Sequence, residues 1–232
     1  MKGEITYDDE NLRVYEIITN DDVFKENYNK ITIKYNENDL IPIYIVNSYT
    51  YTFFGKGVRK FTHDAYTHSA ISLDSSLNTL YSFNGANDKG YRGFSIESLK
   101  GYIQVSPLAE IYVGTLILTN NEYNIIKDHL NRLLENADKT SYAFSNIFNI
   151  VINRQSKENE FRMVCSQFVN SLLKFINVDA SNKASSLTRP EDLRYSLNKR
   201  IFKVFEGYAT DYDYRQTNRF VDKLKLMMRG KR

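Results

Sequence analysis

The chain has 232 residues, of which 42% are apolar, and its net charge is +3. This length and composition suffice for one domain with a real core, and so small a charge gives no indication of a nucleic-acid partner. No apolar run is long enough to cross a bilayer, and the polar, acidic N-terminus is unlike a signal peptide. We therefore expect a cytoplasmic or virion-associated protein.

Residues 1–38 are predicted to form an N-terminal extension ahead of the main domain. Residues 12–19 and 31–35 alternate in polarity or carry β-branched side chains, as half-buried strands do. The sequence between them is charged and rich in asparagine. No residue of this extension is assigned any chemistry.

The next four predicted elements run from residue 39 to residue 84. Residues 39–48 indicate a buried strand with a proline near its start, where a missing N–H is tolerated. Residues 49–61 indicate a short helix. Strands at 68–73 and 79–84 are separated by turn-forming residues and are predicted to pair as a hairpin.

The middle of the chain is predicted to alternate between loops, strands and helices. Residues 85–93 contain three of the ten glycines and indicate a loop. Residues 95–100 suggest one helical turn, and 109–118 a core strand. Thr119 or Asn120 is placed to cap the long helix that follows.

Two apolar segments follow that helix. Residues 142–152 are predicted to form a helix packed inside the protein. The second segment, 161–177, carries the only cysteine, Cys165, at the head of an apolar stripe with helical spacing. The stripe consists of Phe168, Val169, Leu172, Leu173 and Ile176.

A thiol in the first turn of a helix is placed for nucleophilic chemistry. The helix dipole and the free N–H groups of the first turn both favour the thiolate form of Cys165. The alternative is that Cys165 is simply a small buried hydrophobe. A single cysteine can form neither an internal disulfide nor a thiolate zinc site, and no cofactor is expected.

The last part of the chain indicates a helix, a strand and a second helix. Thr188 is placed to cap a helix in 185–197, and 201–208 reads as a strand. Residues 215–232 are predicted to form a basic amphipathic helix with Phe220, Leu224 and Met227 on its apolar face. Such a helix could bind a protein partner or an anionic membrane surface, although docking onto its own domain is the favoured interpretation.

A thiolate nucleophile needs a basic partner, and the chain offers three histidines. His129 falls on the polar side of a predicted helix, and His63 falls in a loop. His68 opens a strand next to a loop, where an imidazole can reach a cleft. Position alone therefore favours His68.

Several short motifs resemble the circularly permuted, papain-like cysteine peptidases of the NlpC type, in their YiiX-like branch. They are THSAISL at 67–73, LYSF at 80–83, MVCSQFV at 163–169, SLTRPEDL at 186–193 and VFEG at 204–207. The resemblance spans about residues 39–212. It implies an α+β domain over 39–214, in which a central antiparallel sheet packs against the cysteine helix. It further implies that Cys165 is the nucleophile and His68 the base, and that the histidine precedes the cysteine in the chain.

A third residue is expected to orient the imidazole from the strand that follows the histidine strand. On TLYSFN the candidates are Ser82 and Asn84, which are two apart and share a face. The resemblance matches Ser82 to the orienting position, whereas Asn84 would orient an imidazole better by its chemistry. That strand carries no carboxylate. The backbone N–H of Cys165 is a candidate donor to an oxyanion.

These residues together predict thiol-dependent hydrolysis of an amide bond through an acyl-enzyme. The resemblance suggests a peptide or peptidoglycan-like substrate, such as a peptidoglycan stem peptide. One alternative is a non-catalytic structural or interaction protein on the same fold, for example a virion component. A second alternative is a lipid acyltransferase or thioesterase resembling lecithin:retinol acyltransferase.

Overall fold

A computed structural model describes residues 2–7, 13–18, 31–35, 40–85, 92–196, 198 and 200–229. The first three ranges form an antiparallel sheet of three strands, β1 (Lys2–Tyr7), β2 (Arg13–Ile18) and β3 (Ile31–Tyr35), in the order β1-β2-β3. The two strands predicted near the N-terminus are therefore present, and β1 was not predicted. The charged segment between β2 and β3 lies outside the described residues, as does most of the predicted glycine-rich loop.

The centre of the protein is a sheet of six strands in which every pair is antiparallel. This confirms the α+β class and the central antiparallel sheet. The strand order is β11-β8-β4-β5-β6-β7, and a separate pair, β9 and β10, is parallel. The strands are β4 (Ile41–Tyr49), β5 (His68–Ser72), β6 (Leu80–Asn84), β7 (Gly93–Glu97), β8 (Glu110–Leu118), β9 (Ser141–Tyr142), β10 (Arg162–Met163) and β11 (Ile201–Tyr208).

Seven α-helices accompany these strands in the described part of the chain. None of them is both long and apolar enough to cross a bilayer. They are α1 (Phe53–Thr62), α2 (Leu99–Val105), α3 (Asn120–Glu135), α4 (Phe144–Val151), α5 (Cys165–Lys174), α6 (Pro190–Arg194) and α7 (Tyr214–Arg229).

The helix caps follow the predictions in one case and not in another. Thr119 caps α3, and its side chain and that of Glu122 form a reciprocal capping box. Helix α6 has Arg189 at its N-cap, so the predicted capping role of Thr188 is wrong. The hydroxyl of Thr188 is fully buried and instead accepts a hydrogen bond of 2.9 Å from the amide of Asn170 on α5.

A hydrophobic core lies on each face of the six-stranded sheet. On one face α5 packs against the sheet through Phe168, whose ring lies 5.6 Å from Phe83 and 5.4 Å from Phe94. All three rings are buried. Because α5 is fixed along its whole apolar stripe, its first residue is held at a definite place beside the sheet.

The other core takes up the C-terminal helix, as the favoured interpretation expected. Helix α7 buries Val221, Leu224 and Met228. The buried face differs from the predicted apolar face. Only Leu224 belongs to both, and the predicted residues Phe220 and Met227 each stay 38% exposed. Residues 230–232, the end of the predicted helix, lie outside the described residues.

Two local predictions are wrong. The helical turn expected at 95–100 is instead the end of β7 and the start of α2, because the helix begins after Ser98, which caps it by accepting from the N–H of Gly101. Helix α4 was expected to be packed inside, yet its aromatic residues are exposed: Phe148 is 65% exposed.

Candidate active site

Cys165 is the first residue of α5 and is only 3% exposed. The preceding residue, Val164, is the N-cap and makes no side-chain capping bond, and the positive end of the helix dipole favours negative charge on a first-turn residue. The backbone N–H of Ser69 also donates to the sulfur and lowers the pKa of Cys165. The structure therefore places the thiol in the first turn of its helix, as the sequence predicted.

The strand segment that carries this N–H is held firmly. The hydroxyl of Ser69 donates to Oδ1 of Asn47 at 2.8 Å, and Nδ2 of Asn47 donates to the carbonyl of Pro190 at 2.7 Å. Asn47 and Ser69 are both completely buried. These bonds join β4, β5 and the start of α6, and they fix the backbone next to the sulfur.

His68 is the first residue of β5 and bridges two acidic groups. Its Nε2 lies 2.9 Å from Oε2 of Glu97, at the end of β7. His68 and Cys165 also shift each other's pKa through their charges, which places the imidazole beside the thiol. Because Nε2 is taken by the carboxylate, Nδ1 is the nitrogen left for the sulfur.

The charges at this site favour a thiolate paired with an imidazolium. Burial by itself lowers the pKa of His68, but the charges of Glu97 and Cys165 outweigh it and hold that pKa well above its usual value. Burial raises the pKa of Cys165, but the charge of His68 and the hydrogen bonds at the sulfur together outweigh burial and leave that pKa lowered. Each partner therefore stabilises the ionised form of the other.

Glu97 is kept ionised by its neighbours. Burial would raise the pKa of its carboxyl, but the charge of His68 and hydrogen bonds from His68, Tyr102 and Asn84 lower it. The hydroxyl of Tyr102 donates to Oε2 at 2.5 Å. Burial and the charge of Glu97 hold the pKa of Tyr102 well above its usual value, so this hydroxyl stays a donor.

Ser82 and Asn84 do not orient the imidazole, although one of them was expected to. The hydroxyl of Ser82 is fully buried and donates to the carbonyl of Ser69 at 2.6 Å, which ties β6 to β5. The amide of Asn84 donates to Oγ of Ser95 at 2.8 Å and also supports the carboxylate of Glu97. The orienting contact to His68 is made by Glu97, one strand further along.

Tyr142 is a second group beside the sulfur that the sequence did not single out. Its hydroxyl lies 3.9 Å from Sγ of Cys165, and the backbone N–H of Cys165 donates to its oxygen. Burial and the charge of Cys165 raise the pKa of Tyr142 well above its usual value. A neutral phenol O–H and the predicted backbone N–H are thus both placed at the attacking atom.

The remaining histidines lie away from this cluster. His129, on α3, is stacked on Phe175 with ring centres 3.7 Å apart, and it is not fully solvated as its polar position suggested. His63 follows α1 as its C-cap. Across the described ranges, no group of three or more His, Cys, Asp or Glu side chains is placed to hold a metal ion.

Glu97 was missed because its strand is short and follows a glycine-rich stretch. A signal was nevertheless present in GFSIES, where Phe94 and Ile96 alternate with Ser95 and Glu97. Such alternation indicates a strand rather than a helical turn. An acid at the end of a third strand in the same meander would then have been a candidate partner for His68.

Replacing Glu97 with glutamine should move the pH midpoint of Cys165 alkylation upward by about one unit or more. Without the carboxylate charge, burial lowers the pKa of His68, and the weaker imidazolium charge then lets the pKa of the thiol rise. The rate of iodoacetamide labelling as a function of pH measures this shift. Ser82→Ala is the matched control and should leave the midpoint in place; an equal shift in both variants would contradict the orienting role of Glu97.

Comparisons with known proteins do not assign a family. No family model matches the sequence, and no curated protein is similar to it. Among solved structures, the chain is similar to the crystal structure of metalloprotein yiiX from Escherichia coli O157:H7. The two are 13% identical, the similarity covers 73% of this chain and 98% of that one, and the TM-score is 0.49. A likeness at this level assigns no activity, substrate or metal to the present chain.

Proposed function

We propose that this protein is a thiol-dependent hydrolase of an amide bond, with Cys165 as nucleophile, His68 as acid and base, and Glu97 as the orienting residue. The observation that carries the proposal is the position of one imidazole between a thiol at a helix start and a largely buried carboxylate. A nucleophile, its base and a group that orients the base are the parts that covalent catalysis requires.

Acylation begins from the ion pair. The Cys165 thiolate attacks the carbonyl carbon, and the carbonyl oxygen takes the negative charge of the tetrahedral intermediate. The hydroxyl of Tyr142, whose oxygen accepts from the backbone N–H of Cys165, can donate to that carbonyl oxygen. As the intermediate collapses, the imidazolium of His68 gives its proton to the nitrogen of the leaving amine, and a thioester remains on Cys165.

Deacylation reverses these roles. The neutral imidazole of His68 takes a proton from a water molecule, and the resulting hydroxide attacks the thioester carbonyl. The C–S bond breaks, the carboxylic acid product leaves, and the thiolate of Cys165 is again paired with the imidazolium. Glu97 keeps the ring in one orientation through both half-reactions and stabilises its positive form.

The non-catalytic alternative depended in part on the lack of an acidic orienting residue on β6. Glu97 on β7 supplies such a residue, so that argument no longer favours a degenerate site. The acyltransferase alternative shares the nucleophile and the base, and differs in the acceptor of the acyl group. The resemblance noted in the sequence favours peptides of the peptidoglycan stem as the first substrates to examine.

Replacing Cys165 with alanine should lower hydrolysis of such peptides by at least about 10³-fold, because the covalent route is lost. The assay follows new amino groups as purified cell-wall peptides are incubated with the protein. Intact-protein mass spectrometry of the wild type should show an acyl adduct that is absent from Cys165→Ala. Equal release of amines by both proteins would overturn the proposal, as would a wild-type thiol that alkylates no faster than a free cysteine.

A further inference from the structure

Helices α1 and α4 expose an unusual amount of apolar surface. Two phenylalanines of α1, eight positions apart, are exposed: Phe53 at 96% and Phe61 at 72%. On α4 the exposed apolar residues share one side. On the opposite side, Ile147 and Ile150 pack against the core and Asn146 donates a hydrogen bond to Gln167. The exposed residues of α4 and its end are Phe144, Phe148, Val151 and Ile152.

The two exposed sides adjoin each other. Phe61 of α1 and Val151 of α4 line one depression of about 280 Å³, together with Lys183 and Arg189. The exposed sides of α1 and α4 therefore meet at Phe61 and Val151, and we call the two sides together the α1–α4 surface. Single exposed apolar residues are ordinary on a protein surface, but several exposed aromatic and aliphatic residues on adjoining helices indicate an interaction site.

Helix α1 and the end of α4 carry more cations than acids. Residues 53–62 contain Lys56, Arg59 and Lys60 and no acid, and residues 144–154 contain Arg154 and no acid. Arg92 lies over the exposed ring of Phe144 at 5.4 Å.

Both basic residues that line the depression are paired with acids. Asp64 binds Arg189 at 3.2 Å, and Asp192 binds Lys183 at 2.8 Å. Lys56 and Lys60 of α1 and Arg154 after α4 add positive charge to this surface, whereas Arg59 lies over the ring of Tyr49 at 4.3 Å. Aromatic side chains with cations around them fit a lipid layer, whose headgroups can be anionic and whose interior is apolar.

We propose that the α1–α4 surface docks this protein on an anionic lipid membrane. Phe53, Phe61 and Phe148 enter the boundary between headgroups and acyl chains. The surrounding lysines and arginines bind lipid phosphates. This differs from the alternative in which the basic C-terminal helix binds a membrane, because α7 uses its apolar face to cover the core of its own domain.

The α1–α4 surface also reaches the candidate active site. Phe144 packs edge-on against Tyr142 with ring centres 5.0 Å apart, and the hydroxyl of Tyr142 lies beside the sulfur of Cys165. A protein docked in this way holds its thiol near the membrane surface. Membrane binding by this surface does not require the proposed hydrolysis, so it can be measured with no substrate present.

The test is flotation of the full chain with vesicles of phosphatidylcholine containing about a third phosphatidylglycerol. The wild type should float at low salt and less at high salt, since screening weakens the phosphate contacts. Phe53→Ser/Phe148→Ser should reduce binding at least ten-fold and leave the thermal unfolding midpoint unchanged, because both rings are already exposed. Lys56→Glu/Lys60→Glu should reduce binding to anionic vesicles in the same way.

Leu108→Ser/Leu226→Ser is the matched control, because it removes two apolar side chains that are 60% and 63% exposed elsewhere. It should bind as the wild type does. The proposal is overturned if the wild type does not float, or if the control loses as much binding as the phenylalanine variant. It is also overturned if the wild type is a dimer that Phe53→Ser/Phe148→Ser makes monomeric, since the surface would then be an interface between copies.

Discussion

Replacing His68 with alanine should slow iodoacetamide labelling of Cys165 at pH 6 by at least about ten-fold and lower amide hydrolysis by about 10³-fold or more. The imidazolium of His68 is the main group that lowers the pKa of the thiol. Without it, burial raises that pKa, and little thiolate remains at pH 6. The proton needed by the leaving amine is lost at the same time.

The pH profile of the wild type follows from the two pKa shifts. The pKa of Cys165 is lowered and that of His68 is raised, so the ion pair exists between them. Below the lower pKa the thiolate is protonated and activity falls. Above the higher pKa the imidazolium loses its proton and activity falls again. We therefore expect a bell-shaped profile for hydrolysis, and alkylation that is already fast below the usual thiol pKa of about 8.5.

His63→Ala is the matched control for this experiment, because His63 caps the end of α1 and does not contact Cys165. It should keep the wild-type labelling rate and pH profile. If His68→Ala labels as fast as the wild type at pH 6, then the thiol is not activated by this imidazole. The catalytic assignment of both residues would fail with it.

Much of the order of elements could be predicted from periodicity alone. Strand β8 and helix α3 are long and strongly patterned, and each is found within a residue or two of its predicted ends. The placement of Cys165 at a helix start also follows from spacing. Its partnership with His68 required the resemblance, because 96 intervening residues separate them and only the three-dimensional fold brings them together.

The remaining parts of the site depend on contacts that periodicity does not encode. Glu97 reaches His68 from a strand beyond β6, and nothing local to GFSIES indicates which side chain it meets. The burial of helix α4 could not be predicted from periodicity either. Its pattern defines an apolar side, but whether that side is covered depends on neighbours, and in this protein Phe148 is left at the surface.

The hydroxyl of Tyr142 is the least expected part of the proposed mechanism, and its removal isolates one step. Tyr142→Phe should lower kcat for peptide hydrolysis by about 10²-fold, the usual cost of one lost donor to an oxyanion. The ring and its contact with Phe144 are retained, so the fold should not change. Because the hydroxyl also helps lower the pKa of Cys165, the alkylation midpoint should rise, but only slightly.

Tyr102→Phe distinguishes this role from a general effect on charge. The hydroxyl of Tyr102 donates to Glu97 rather than standing at the sulfur, so its loss acts through His68. That variant should shift the pH profile while retaining most of kcat at its own optimum. If Tyr142→Phe behaves in the same way, with a fall in kcat matched by an equal fall in thiolate, then Tyr142 tunes the thiol and does not stabilise the oxyanion. A loss of kcat at full thiolate formation is the result that assigns the phenol to the tetrahedral intermediate.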